Sequence, residues 1–365
     1  MYIKIITKAK LFIFICLLNI SLKAVPPERQ NTINVIGILN LFANIQQGSC
    51  ESLAFSPDGR LLAAGYSSGE VVLYDAQNRR EIHRFSGDGD CIKSVAFSSN
   101  GQFLAAGSDG NFCVRERGFL NTVKLWNLNT KKSIQLFSRS STRGFVRSVA
   151  FSPDSEYLAA AYHDWKDGQI LMWNVNTGKC VHVFNNHESL VANVQGGECL
   201  LKGLSSVSFS PDGKFLAALW FKKDVNGADA RGIVLWDLET KRCIRYFADS
   251  GARSNTIAFS VDSSFIVAAG GGVIKLFDLH REYIYIFFTH NDFVESIAFS
   301  PDNQFFVVDC WNCVKLFNIK TGNVEQFKVT DDDKYVNAVA YSPLGTEIVA
   351  GLSDGTIVSL ILQTS

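Results

Sequence analysis

The sequence predicts an all-β fold, a seven-bladed β-propeller of four-stranded antiparallel blades whose N-terminal strand closes the last blade. Three observations predict it: a unit of four strand-length runs, its recurrence seven times in register, and a final copy that is one strand short.

The unit is clearest in residues 148–184, where the runs SVAF, YLAAAY, QILMWNV and CVHVF are separated by turn residues. Ser152-Pro153-Asp154-Ser155 and Asn176-Thr177-Gly178-Lys179 carry the Pro, Asp, Asn and Gly that preset turn dihedrals or bond the local backbone. Alternating β-branched and aromatic residues between such breaks point to hairpin-linked strands. One such sheet has two apolar faces and needs a neighbour on each.

The neighbours recur along the chain. The aromatic that ends each first strand falls at Phe55, Phe97, Phe151, Phe209, Phe259, Phe299 and Tyr341, each preceded by Ala or Ser and followed by Ser. The interval is about 42 residues at both ends of the series and stretches to about 58 in the middle, a base period of four strands with insertions. A third-strand signature follows six of the seven anchors: Leu73-Tyr74-Asp75, Leu125-Trp126-Asn127, Met172-Trp173-Asn174, Leu235-Trp236-Asp237, Leu276-Phe277-Asp278 and Leu316-Phe317-Asn318. With the Ser-Pro-Asp turns at 56–58, 152–154, 210–212 and 300–302, the chain from about residue 31 to 365 resembles the WD40 family. That resemblance implies a propeller that acts through protein contacts, with the residue four before each anchor as a contact position.

The termini fit a closed ring. The seventh copy offers strands at 336–341, 347–352 and 356–362 and then stops, while residues 33–42, INVIGILNLF, read as a strand with no partner of its own. Pairing the two removes two exposed sheet edges. Within the first strands, large and small side chains alternate, as in Ser148, Val149, Ala150 and Phe151, which reads as packing between crowded sheets.

Residues 1–24 read as a signal peptide: Lys4, Lys8 and Lys10 precede an apolar run over 11–22, with Ala24 at the cleavage point. The alternative is an uncleaved anchor, because Leu22 is large for its place before the cut. Residues 25–31 are a polar, Pro-containing leader, and 32–365 the propeller. The expected location is therefore exported, periplasmic or secreted, or else membrane-anchored through the uncleaved segment. Of 35 basic and 35 acidic side chains, cleavage would take four lysines and no acids, leaving 31 against 35. Such a balance lacks the positive stripe that nucleic acid demands.

Hydrophobic content of 47% and charged content of 19% supply a large core and exclude a disordered chain. In a four-strand meander the turn between strands two and three and the crossover to the next blade share one end. The insertions at 108–121, 163–168, 187–205 and 221–232 all fall on it, and long loops on one rim of a rigid scaffold are where recognition resides. The positions four before the anchors are Glu51, Lys93, Arg147, Ser205, Asn255, Glu295 and Asn337. The insertions add Arg115, Arg117, Phe119, Trp165, Phe221, Lys222 and Lys223, making blades two to four the basic and aromatic arc. The expected partner is a protein or peptide bound by a monomeric ring, with no nucleic acid and no membrane contact beyond an N-terminal anchor.

No recognisable nucleophile, base and orienting motif accompanies the repeats, so a non-enzymatic scaffold is favoured. The rival is an exported propeller enzyme, a hydrolase or lyase with a central-channel site. No cofactor is expected, nor a metal: Asp331-Asp332-Asp333 lacks the alternation and glycine of a calcium loop, and the histidines show no ligand spacing. The family's turn Asp has counterparts in Asp109, Asp167 and Asp354, and its His in His187 and His290, but no copy holds the full set of polar ties. Among nine cysteines, Cys310 with Cys313 and Cys50 with Cys91 are candidate disulfides in an oxidising compartment, the former equally readable as a redox pair or as two small apolar residues.

Overall fold

The structure, a computed structural model, describes residues 2–5, 33–42, 48–86, 90–109, 123–134, 145–163, 168–184, 203–223, 229–248, 255–281, 283–288, 293–330 and 333–364. Among these there is no helix. Seven antiparallel four-stranded meanders form the propeller, the first built from Cys50–Phe55, Leu61–Tyr66, Glu70–Asp75 and Glu81–Ser86. The inner strands of the next six are Cys91–Phe97, Phe145–Phe151, Gly203–Phe209, Thr256–Phe259, Ile297–Phe299 and Val336–Tyr341, each ending on its anchor aromatic. Turn chemistry fixes these ends. In Ser152-Pro153-Asp154, the buried Ser152 hydroxyl donates to Asp154 and accepts the Tyr157 N–H at 2.9 Å, and the same serine works at Ser56, Ser210, Ser260 and Ser300.

The ring is latched as the termini predict. Ile33–Phe42 runs antiparallel to Ile357–Thr364, with Ile33 opposite Thr364 and Phe42 opposite Ile357. Irregularities between Val35 and Gly37 and between Asn40 and Phe42 bend it to the edge. A further strand was not foreseen: Tyr2–Ile5 lies parallel to the outer strand of blade five, Tyr283–Phe288. Residues 6–32, which include most of the expected signal and its leader, lie outside the described residues.

Between blades, large side chains on one inner strand meet small ones on the preceding sheet. A Cβ added to Gly65 would stand 2.5 Å from Ile92 Cγ2 of the next blade, and one at Gly351 2.5 Å from Cys50 Sγ. Those glycines are therefore sites of close sheet approach. The inner-strand serines, however, do more than leave room. Val95 N–H donates to Ser52 Oγ at 3.0 Å, Val149 N–H to Ser94 Oγ at 3.1 Å, and Val207 N–H to Ser148 Oγ at 3.2 Å. Ile257 N–H donates to Ser206 Oγ at 3.2 Å and Val339 N–H to Ser296 Oγ at 3.0 Å. Each hydroxyl thus satisfies a backbone donor of the following blade. The packing reading of these serines is corrected to that extent, since sequence alternation carries no information on cross-blade register.

Blade four brings a second correction. The stretch 221–232, expected as an inserted loop, is largely strand: Phe215–Lys223 and Asp229–Asp237 stay paired through Phe221 with Arg231 and Lys223 with Asp229. Its polar composition hid a hairpin that simply extends beyond the others.

Candidate functional site

The seven positions four before the anchors converge. Glu51, Lys93, Arg147, Ser205, Asn255, Glu295 and Asn337 all line one cavity of about 640 Å³, at the end of the ring where strand-two turns and crossovers emerge. They converge because each lies near the start of the inner strand of its blade, so the propeller symmetry carries one residue per blade to the mouth of the axis.

Most of the polar groups there are tied into pairs or short chains of contacts. Lys93 Nζ is 2.7 Å from Glu51 Oε2 across blades one and two, and the Ser49 hydroxyl donates to the other Glu51 oxygen. Burial pulls the Lys93 ammonium down, but the Glu51 hydrogen bond and charge more than offset it and leave Lys93 above its ordinary range. Arg147 approaches Asp109 at 3.9 Å. Across the axis, Arg231 Nη1 donates to Asn255 Oδ1 at 3.0 Å, and Asn255 Nδ2 donates to Glu295 Oε1 at 3.0 Å, joining blades four, five and six. Burial raises the Glu295 carboxyl, with Arg147, Asn255 and Lys93 pulling it back. The Ser205 hydroxyl is buried at this wall with no hydrogen-bond partner.

Asp309 lies beneath Glu295. Its carboxylate accepts the Glu295 N–H at 3.0 Å and the Ser296 N–H at 2.9 Å, and it is 1% exposed. Desolvation holds its pKa well above the usual carboxylate range. In the other blades the equivalent residue is Gly65, Gly107, Ala161, Leu219, Ala269 or Gly351, so aligning the repeats would have singled it out. Arg231 and His163, which also line the mouth, were missed because they sit on second and third strands away from the repeat's contact position.

The remaining candidates fare unequally. Arg115, Arg117, Phe119 and Trp165 lie outside the described residues, as do His187, His290 and Asp167. Phe221 and Lys222 are placed by backbone on the extended hairpin of blade four. Asp354 accepts the Thr356 N–H at 2.9 Å and pairs with Lys334 at 2.9 Å. Among the described residues no disulfide forms. Cys310 and Cys313 stand opposite each other across a hairpin, and the Cys50 sulfur lies beside Gly351 of blade seven. Burial also pushes the Cys50 thiol far up, which keeps it protonated.

Comparison with known proteins agrees with the repeat. Residues 27–100 and 115–199 match the WD40 domain of anaphase-promoting complex subunit 4, and residues 281–318 and 324–358 match the WD domain, G-beta repeat. This chain belongs to the WD40-repeat β-propeller family. Among similar proteins, pre-mRNA-processing factor 19 of Dictyostelium discoideum is 31% identical over 126 residues, 34% of this chain and 22% of that protein. Periodic tryptophan protein 2 homolog of Schizosaccharomyces pombe is 25% identical over 209 residues, 55% of this chain and 22% of that protein. Transcription initiation factor TFIID subunit 5 of Caenorhabditis elegans is 24% identical over 237 residues, 64% of this chain and 30% of that protein. The chain thus spans less than a third of the length of these WD40 relatives.

Proposed function

We propose that this WD40 propeller is a non-enzymatic interaction platform that seats a protein or peptide partner on its loop-bearing face, over blades two to four and the adjoining channel mouth. The observation that supports it is the convergence of one residue from each of the seven blades on one polar cavity, at the end where the strand-two turns and crossovers emerge. Subunit and factor names among the relatives agree with a life in assemblies. A rigid ring with charged groups pre-paired at its mouth suits recognition by exchange, in which a partner's charges replace internal ones.

The test is a crosslinking pulldown with Lys93, Arg147, Arg115 and Trp165 changed together to Ala. Loss of the wild-type partners is expected, and an unchanged partner list would move the site elsewhere. Turnover by the wild-type chain in a hydrolase and lyase screen would favour the rival enzyme. We also read residues 1–24 as an export signal, on the lysines before the apolar run. Cleavage after Ala24 would remove Tyr2–Ile5 and leave Tyr283–Phe288 as the outer edge of blade five. Intact mass of the exported protein reads that directly, and a full-length mass would point to the anchor.

A further inference from the structure

Away from blades two to four, the same face carries an aromatic surface. Among the described residues the exposed large aromatics are Phe293, Trp311 and Tyr335, at 61%, 52% and 44% exposure. All three belong to blade six and its junctions: Phe293 on the approach to its inner strand, Trp311 at its strand-two turn, Tyr335 on the crossover to blade seven. The Trp311 and Tyr335 rings meet with centroids 5.0 Å apart at 58°, and Val336 N–H donates to the Trp311 carbonyl at 2.6 Å, fastening the crossover to the turn.

Turn chemistry gives no reason for a tryptophan here. Trp311 and Asn312 form the two-residue loop between cross-strand partners Cys310 and Cys313, and Trp311 sits at φ +36°. Blade five builds a loop of the same length, between Gly270 and Val273, from Gly271 and Gly272 at φ +49° and +80°, so both blades start the loop with a left-handed residue. A left-handed backbone suits glycine and is strained for a bulky side chain. Strain held by an exposed side chain points to what that side chain does.

The surroundings say what it meets. Asp333 is exposed two residues before Tyr335 and continues the run that begins at Asp331. Asp354 is held beside Tyr335 by its neighbour Ser353, whose hydroxyl accepts the Tyr335 N–H at 3.1 Å, while Lys334 is tied to Asp354 at 2.9 Å. With Asp354 and Lys334 paired to each other, the exposed Asp333 beside the aromatic faces complements a guanidinium or ammonium group, which the ring faces attract as well. We propose that Trp311, Tyr335 and Asp333 form a second docking surface, which binds an arginine- or lysine-bearing segment of a protein partner. It stands apart from the contacts on blades two to four and does not depend on them.

The test titrates a fluorescein-labelled arginine–serine repeat peptide, and its glutamate–serine counterpart, into the full chain and follows anisotropy. The basic peptide is expected to bind and the acidic one not. W311G removes the ring while giving the turn the residue it favours, so its melting temperature should match or exceed wild type while affinity falls about tenfold or more. W311Y should keep most of the binding, and D333N should weaken it. Equal binding of the two peptides, or W311G binding like wild type, would overturn the proposal. So would a concentration-dependent dimer that W311G dissolves, which would assign the surface to a second copy. The quadruple variant of blades two to four should bind the basic peptide unchanged, so either reading can fail alone.

Discussion

A serine hydroxyl is a small group, yet in this chain it closes two kinds of gap. In the turns it replaces a missing ladder partner, as where Ser300 accepts the Phe305 N–H at 2.9 Å. In the inner strands it reaches the next blade. Removing Ser148 as S148A leaves the Val207 N–H without that acceptor and is expected to lower unfolding free energy by about 1 kcal/mol, read from urea denaturation. Asp309 poses the opposite balance, a charge-prone group kept out of water by two backbone donors. Because burial raises its pKa, the folded state keeps a proton that the unfolded chain releases. Its contribution to stability is therefore fullest below the ordinary carboxylate range and falls as pH rises through the folded value. D309N, which retains an acceptor and has no proton to lose, should gain on wild type in thermal melts from pH about 4 toward neutrality. D309A, lacking any acceptor, should lose about 1–3 kcal/mol.

At the level of strands and turns, what could be read from sequence depended on periodicity. The anchors, the Ser-Pro-Asp turns and the unpartnered run at 33–42 were legible because alternation and turn residues are local signals. The blade-four hairpin was not, since the polar residues Lys222, Lys223 and Arg231 look like loop in the sequence. The blade-six turn was half legible: Cys310-Trp311-Asn312-Cys313 reads as a tight hairpin, as found, but the exposed tryptophan between the cysteines carries no periodic signal. The channel mouth was half legible: symmetry named its seven rim positions, but the Arg231–Asn255–Glu295 chain needs the blades in their places.

For the molecule as a whole, closure decides cooperativity. Serine links join blades one to two, two to three, three to four, four to five and six to seven. Between blades seven and one the corresponding residue is Ala338, and apolar contacts of Cys50, Ala338 and Val349 hold that seam instead. Deleting residues 33–42 would leave Ile357–Thr364 as an open edge and should broaden the thermal transition and promote self-association, measured by calorimetry and sedimentation. The direction of that latch has a mechanical consequence. Because Ile33 lies opposite Thr364, tension applied across those two residues peels the strands one bonded pair at a time and never loads them all together. In single-molecule pulling with handles at residues 33 and 364, the ring should part at low force at this latch first, before the other sheets give way.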